Sequence, residues 1–269
     1  MIPYHNIDPV ALALGPVKIH WYGLMYLLGF WGCWWLLVRR GRLTHVNWNA
    51  QLCSDAVFYV VMGVILGGRI GYTLFYNFSG FLADPLSLVR IWQGGMSFHG
   101  GLLGVTVAMW LFARHKGLSF YSVADNIAVV VPFGLFTGRI GNFINGELWG
   151  ANTTLPWGMV FPTGGPLPRH PSMLYEALLE GLILLAILWW YGKKPRPAPS
   201  IAALFLIGYG VFRFAIEFVR VPDARLGYLH GTTWFTMGMQ LCVPMVLAGA
   251  FFFWLAYNRQ RRQEMGDRR

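Results

Sequence analysis

The stretch from Gly138 to Gly150, GRIGNFINGELWG, gathers Arg139, Asn142, Asn145 and Glu147 inside a chain that is otherwise strongly apolar. A guanidinium presents a planar fork of donors suited to a carboxylate or a phosphate. The two amides add donors and acceptors, and the carboxylate can hold either. Glycines at 138, 141, 146 and 150 leave room for close backbone approach. In hydrocarbon each of these polar groups is costly when unpaired, so together they mark a polar site inside a membrane protein. Two more arginines lie within apolar runs, Arg69 in GGRIGYTLFYN and Arg213 in GYGVFRFAIEFVRVPD. Tyr209, Arg213 and Glu217 recur every fourth residue and share one helix face. His99, in GGMSFHGG, places an imidazole among glycines, and its ordinary pKa of about 6.5 suits proton transfer near neutral pH.

Each arginine also has a structural reading. Arg213 can pair with Glu217 on its own helix, and Arg69 or Arg139 can pair with Glu176 or Glu180 across helices. Three guanidiniums in one half of a membrane equally invite an anion such as phosphate, for which a phospholipid headgroup is the nearest abundant source. Both readings stand at this point. Tyr22 in HWYGLMY and Tyr76 in FYN fit an interfacial aromatic belt as well as a site. HExxH, GxSxG and clustered Cys and His ligands are missing from the sequence, so neither a metal nor a cofactor is expected. Cys33, Cys53 and Cys242 read as small packing residues.

The elements that must position these groups are membrane spans. Of 269 residues, 56% are hydrophobic and only 12% charged, which excludes an ordinary soluble domain. The net charge of +10 is dispersed in short clusters between apolar runs rather than on one soluble face, so no nucleic acid partner is expected. Apolar runs near 17–38, 56–76, 97–113, 121–139, 172–191, 200–219 and 233–257 predict seven spans in a single polytopic all-α domain over 1–269. Arg39, Arg40, Arg42, Arg114, Lys116, Lys193, Lys194, Arg196, Arg259, Arg261, Arg262, Arg268 and Arg269 fall on one side of these spans. Only Lys18, Arg90, Arg169, Arg220 and Arg225 fall on the other, so the N-terminus is expected outside and the C-terminus in the cytoplasm. The first run lacks a signal-peptide cleavage pattern and is expected to remain. Depth along the spans, at about 1.5 Å per residue, puts Arg69, His99, Arg139, Tyr209 and Arg213 in the outer half. The Gly- and Pro-rich segment 140–171 is expected at the outer interface. Glycines spaced by four, at 63, 67 and 71, at 100 and 104, and at 134 and 138, predict close helix packing.

HWYGLMY, GGRIGYTLFYN, GGMSFHGG, GRIGNFINGELWG, RHPSMLYEALLEG and GYGVFRFAIEFVRVPD, in this order along the chain, resemble the bacterial prolipoprotein diacylglyceryl transferase family over nearly its whole length. The resemblance implies a seven-span inner-membrane enzyme that moves the diacylglyceryl group of phosphatidylglycerol to the lipobox cysteine of a prolipoprotein signal peptide and releases glycerol phosphate. It implies catalytic roles for His99, Arg139 and Arg213. Tyr22, Asn142, Glu147, Tyr209 and Glu217 match other motif positions of the family, and Arg69, Tyr76, Asn145 and Gly150 complete the expected substrate-binding set. A transporter for an anionic lipid is the alternative, although such a path would need polar residues through the inner half, where the spans carry few. The stretch between Trp157 and Arg169 is shorter than in some family members.

Overall fold

A computed structural model describes residues 2–5, 7–15, 17–90, 94–222 and 227–266. Arg225, Arg268 and Arg269 of the topology argument lie outside these residues. In chain order come β1 (Val10–Leu14), β2 (Val17–His20), α1 (Trp21–Gly41), α2 (Ala50–Tyr76), α3 (Phe78–Ala83), a 3-10 turn (Pro85–Leu88), α4 (Phe98–Lys116) and α5 (Phe120–Asn145). They are followed by α6 (Ser172–Tyr191), α7 (Ser200–Glu217) and α8 (Met237–Gly266). Among the described residues, six helices are long and apolar enough to cross a membrane, namely α1, α2, α5, α6, α7 and α8. This is a multi-pass helical membrane protein. The third expected span, 97–113, coincides with α4, which is 19 residues long but carries His99 in its first turn and Arg114, His115 and Lys116 in its last, and it does not reach the same apolarity.

One expectation needs correction. The first apolar run begins at 17, yet 17–20 is a strand, paired antiparallel with β1 from Val10 opposite His20 to Leu14 opposite Val17. Apolar content alone does not separate a strand from a helix. Gly15, at φ +59°, supplies the left-handed turn that lets VALAL fold back on VKIH.

The chain divides into two compact units, one formed by residues 1–36 and 125–269 and the other by residues 37–124. In the second, α2 and α4 meet along their glycines. A Cβ on Gly67 would stand 2.4 Å from the Gly100 carbonyl oxygen, and one on Gly104 2.2 Å from that of Gly63, so only glycine permits this approach. Gly134 and Gly138 make no such seam, since open space surrounds the place of a Gly138 Cβ.

In the first unit α5 is the central post. Gly29 and Gly32 of α1 sit against Thr137 and Phe133, and Gly181 of α6 sits against Phe136. Around Gly181 the helix α6 widens into a π-helical stretch, Ala177–Ile183, a departure that often accompanies function. Val129, Leu184, Leu188 and Ile201 form a buried cluster that ties α5, α6 and α7 together. These contacts hold Arg139, Glu176, Glu180 and Arg213 on the same side of α5.

Candidate active site

Helix α5 does not stop at 139, where its apolar run ends, but continues to Asn145. It ends on Gly146, which at φ +66° takes the left-handed conformation. The Gly146 N–H donates to the Phe143 carbonyl at 3.1 Å and the Glu147 N–H to that of Asn142 at 3.1 Å, the paired bonds of a Schellman stop. Arg139 and Asn142 therefore share a helical face instead of lying in a loop. From this corner Glu147 turns back. Its Oε1 accepts from Asn142 Nδ2 at 2.9 Å and from Asn145 Nδ2 at 3.3 Å, while Asn142 Oδ1 accepts from Arg139 Nη1 at 3.5 Å. Tyr22 of α1 reaches the same corner, with Asn142 and Glu147 as neighbours, and its hydroxyl lies 3.1 Å from that of Tyr26. The N-terminal segment braces it from outside. The Tyr4 hydroxyl donates to the Phe143 carbonyl at 2.7 Å, and burial holds that phenol above its ordinary pKa, so it stays a donor.

Three arginines converge on one carboxylate. Glu176, fully buried in the first turn of α6, faces Arg139 Nε at 2.5 Å and Arg213 Nη1 at 3.2 Å, and it accepts a hydrogen bond from Arg220 Nη1. The contacts with Arg139 and Arg213 lie off the hydrogen-bond axis, so they are Coulombic. Arg213 is anchored separately, with Nη2 donating to Glu217 Oε1 at 2.6 Å. Glu217 also pairs with Arg220 Nε at 3.1 Å and accepts from Thr236 Oγ1 at 2.7 Å. The helical ion pair between Arg213 and Glu217 and the cross-helix pair between Arg139 and Glu176, both expected as structural contacts, are present. They also hold two guanidiniums side by side. Arg213 Nη1, although buried, has no hydrogen-bonded acceptor among the described residues. Tyr209, stacked on Phe205 one turn before Arg213, is a neighbour of Arg213 and Glu180.

Arg220 reaches this centre because Gly150 lets it. The Ala151 N–H donates to the Val219 carbonyl at 2.8 Å and Gly150 bridges antiparallel to Arg220. A Cβ on Gly150 would meet the Val219 oxygen at 2.3 Å. The segment 150–171 is ordered by similar backbone pairs between Met159 and Arg169 and between His170 and Ala151. Arg169 caps it, with its guanidinium 4.0 Å from the centre of the Trp149 ring and Nε donating to the Gly164 carbonyl at 2.6 Å. We expect Gly150→Ala to lower the unfolding free energy by about 1–3 kcal/mol, the usual effect of forcing a methyl group into a packed contact. Thermal unfolding of the purified variant in detergent checks this, and an unchanged midpoint would contradict the close approach.

In the second unit the expected site residues have other surroundings. Arg69 is buried, and each of its five N–H donors meets a backbone carbonyl. Nε donates to Leu88 at 3.0 Å, Nη1 to Gly94 and to Gly95, and Nη2 to Ser87 and to Arg90. With no donor left over, Arg69 ties the chain after α3 to α2 and pairs with no carboxylate among the described residues. The Ser97 N–H donates to the Gly68 carbonyl at 2.9 Å, and its hydroxyl caps α4 through the Gly100 N–H at 3.2 Å. His99 follows in that first turn, exposed, with the Phe98 ring beside it. Tyr76 is 65% exposed and stacks on Tyr72, as a residue of an aromatic belt would.

Compared with known proteins, residues 9–255 match the prolipoprotein diacylglyceryl transferase family. The chain belongs to that family. It is 57% identical over 263 residues to the phosphatidylglycerol–prolipoprotein diacylglyceryl transferase of Pseudomonas paraeruginosa, covering 98% of each chain. The enzyme of that name from Ectopseudomonas mendocina is 57% identical over 261 residues, covering 97% of this chain and 98% of the relative. The one from Coxiella burnetii is 53% identical over 262 residues, covering 97% and 100%. Within this transferase chain, sequence reasoning missed Arg220 and Thr236. In the sequence Arg220 stands only as one of the outer-side charges. Its spacing of three from Glu217 and the RHPSMLYEALLEG glutamates offered a signal, but the Gly150 pairing that brings it inward has no signature in the sequence.

Proposed function

We propose that this chain transfers the sn-1,2-diacylglyceryl group of phosphatidylglycerol to the thiol of the lipobox cysteine of prolipoproteins, the first step of lipoprotein maturation. It does so in the bacterial cytoplasmic membrane as one polytopic domain. Helix α4 serves as the third of seven spans, the N-terminus lies outside, the C-terminus lies in the cytoplasm, and the 140–171 segment rests at the periplasmic interface. The observation that carries this reading is the meeting of Arg139 and Arg213 on buried Glu176, with Arg213 Nη1 still lacking a hydrogen-bonded acceptor among the described residues.

The thiol sulfur attacks the glyceryl carbon that bears the phosphate. A C–S bond forms, the C–O bond breaks, and its electron pair goes to the phosphate oxygen. Negative charge grows on the leaving glycerol phosphate, and guanidiniums already held in place stabilise that growth without solvent reorganisation. Asn142, Asn145, Glu147 and Tyr22 steady Arg139 or the headgroup, and Tyr209 and Glu217 do the same around Arg213. A cysteine thiol of pKa about 8.5 is mostly protonated at pH 7, so His99 takes its proton.

Purified protein, phosphatidylglycerol labelled in its diacylglyceryl moiety and a lipobox peptide test the proposal together. The expected result is label on the peptide cysteine as a thioether. Folded protein that leaves the peptide unlabelled would overturn it. In the same assay His99→Gln should lose about 10²-fold or more at pH 7. That loss should shrink toward pH 8.5 as the thiol ionises unaided. Near wild-type turnover at pH 7 would remove His99 from the role of base.

A further inference from the structure

Glu180 is the one carboxylate of the arginine centre that the mechanism above leaves unused. It lies on the π-helical stretch of α6 and is fully buried. Neither of its oxygens accepts a hydrogen bond from a described residue, and the nearest guanidinium nitrogen, Arg213 Nη1, is 3.9 Å away. Its neighbours Glu176 and Glu217 are held differently. Glu176 meets three arginines, and Glu217 is bonded by Arg213, Arg220 and Thr236. The charged and titratable groups around Glu180 are Glu176 on its own helix, Tyr209 and Arg213 on α7, Arg139 on α5, Arg220 after α7, and Cys242 on α8.

Arg139, Arg213 and Arg220 thus oppose Glu176, Glu180 and Glu217, and the buried centre is balanced when all six are ionised. A carboxylate buried without hydrogen bonds is expensive, and the field of the three guanidiniums is what offsets that cost. A phosphodiester bound to Arg139 and Arg213 takes up part of that field and adds a negative charge of its own. The group least able to keep its charge is the one with no hydrogen bond. We infer that Glu180 takes up a proton when the arginine centre binds the anionic headgroup, so that it acts beside the bound lipid as a neutral carboxylic acid. This rests on the proposed function, and it makes Glu180 a positioning residue. By giving up its charge, it stops competing with the phosphate for Arg213 Nη1, which stands 3.9 Å from it.

Linkage gives the direction. Binding coupled to proton uptake is favoured at low pH and is lost as pH rises, by up to about tenfold in affinity per pH unit for one proton. The test is binding of phosphatidylglycerol to the full-length protein in phosphatidylcholine nanodiscs between pH 5.5 and 8.5, with an indicator dye reporting protons in weak buffer. At the alkaline end of this range, where Glu180 is ionised before the lipid arrives, wild type should take up about one proton per lipid bound, and its affinity should fall as pH rises. Glu180→Gln, which mimics the neutral acid, should bind at every pH at least as tightly as wild type does at pH 5.5. Glu180→Asp should keep the pH dependence. Wild type that binds phosphatidylglycerol without proton uptake overturns the inference, whether or not the variants fold. So does a folded Glu180→Gln that keeps the wild-type slope or fails to bind. Wild type that binds no phosphatidylglycerol at any pH overturns the proposed function, and this inference with it.

Discussion

Alanine at Arg213 or at Arg139 is expected to lower the turnover of diacylglyceryl transfer by about 10²–10³-fold, the scale on which removing one prepositioned donor to a developing anion acts. The geometry makes both sites sensitive. Arg213 is fixed through Glu217 at 2.6 Å and Arg139 through Glu176 at 2.5 Å, so each guanidinium waits in place and little ordering is left for the transition state. Lysine should not restore either one, because its ammonium cannot hold a carboxylate with one face and a phosphate with the other. Initial rates with purified variants, alongside thermal unfolding to confirm the fold, measure this. Full activity in either alanine variant would remove that arginine from the clamp.

Glu176→Gln should have the largest effect on stability. The substitution keeps the volume but leaves Arg139, Arg213 and Arg220 facing an amide in a buried place. Breaking a buried ionic network by removing one partner commonly costs about 3–5 kcal/mol. The variant should unfold at a clearly lower temperature in detergent and should also lose transfer, because Arg139 and Arg213 no longer share an anchor. A variant with the wild-type unfolding midpoint would show that the arginines are held by something other than Glu176.

Much of this was legible in the sequence because hydrocarbon is an unforgiving solvent. Apolar runs of sufficient length had to be helices; all seven coincide with helices, and six of these are long and apolar enough to cross a membrane. Polar groups within them had to find partners, which is why Arg139, Arg213, Glu176 and Glu217 were visible as a set. The failures share a cause, which is backbone detail that composition does not encode. The stretch 17–20, VKIH, runs straight into the helix after it, and the Gly15 turn folds it back on β1 as a strand. The apolar run of α5 stops at 139, but the helix does not. The chain in fact winds on through GNFIN until Gly146 allows a left-handed stop. Arg69 looked like the other membrane arginines, but its five donors are consumed by carbonyls of a loop whose path no periodicity foretells.

The central claim is that Arg139 and Arg213 act on one phosphate as a unit, joined through Glu176. A double-mutant cycle on the transfer rate tests it most directly. If the two form a single clamp, Arg139→Ala with Arg213→Ala should lose little more than the more damaging single change, as groups that act together do. Losses that multiply, so that the double variant falls by the product of the two single effects, would show two independent sites and contradict the account.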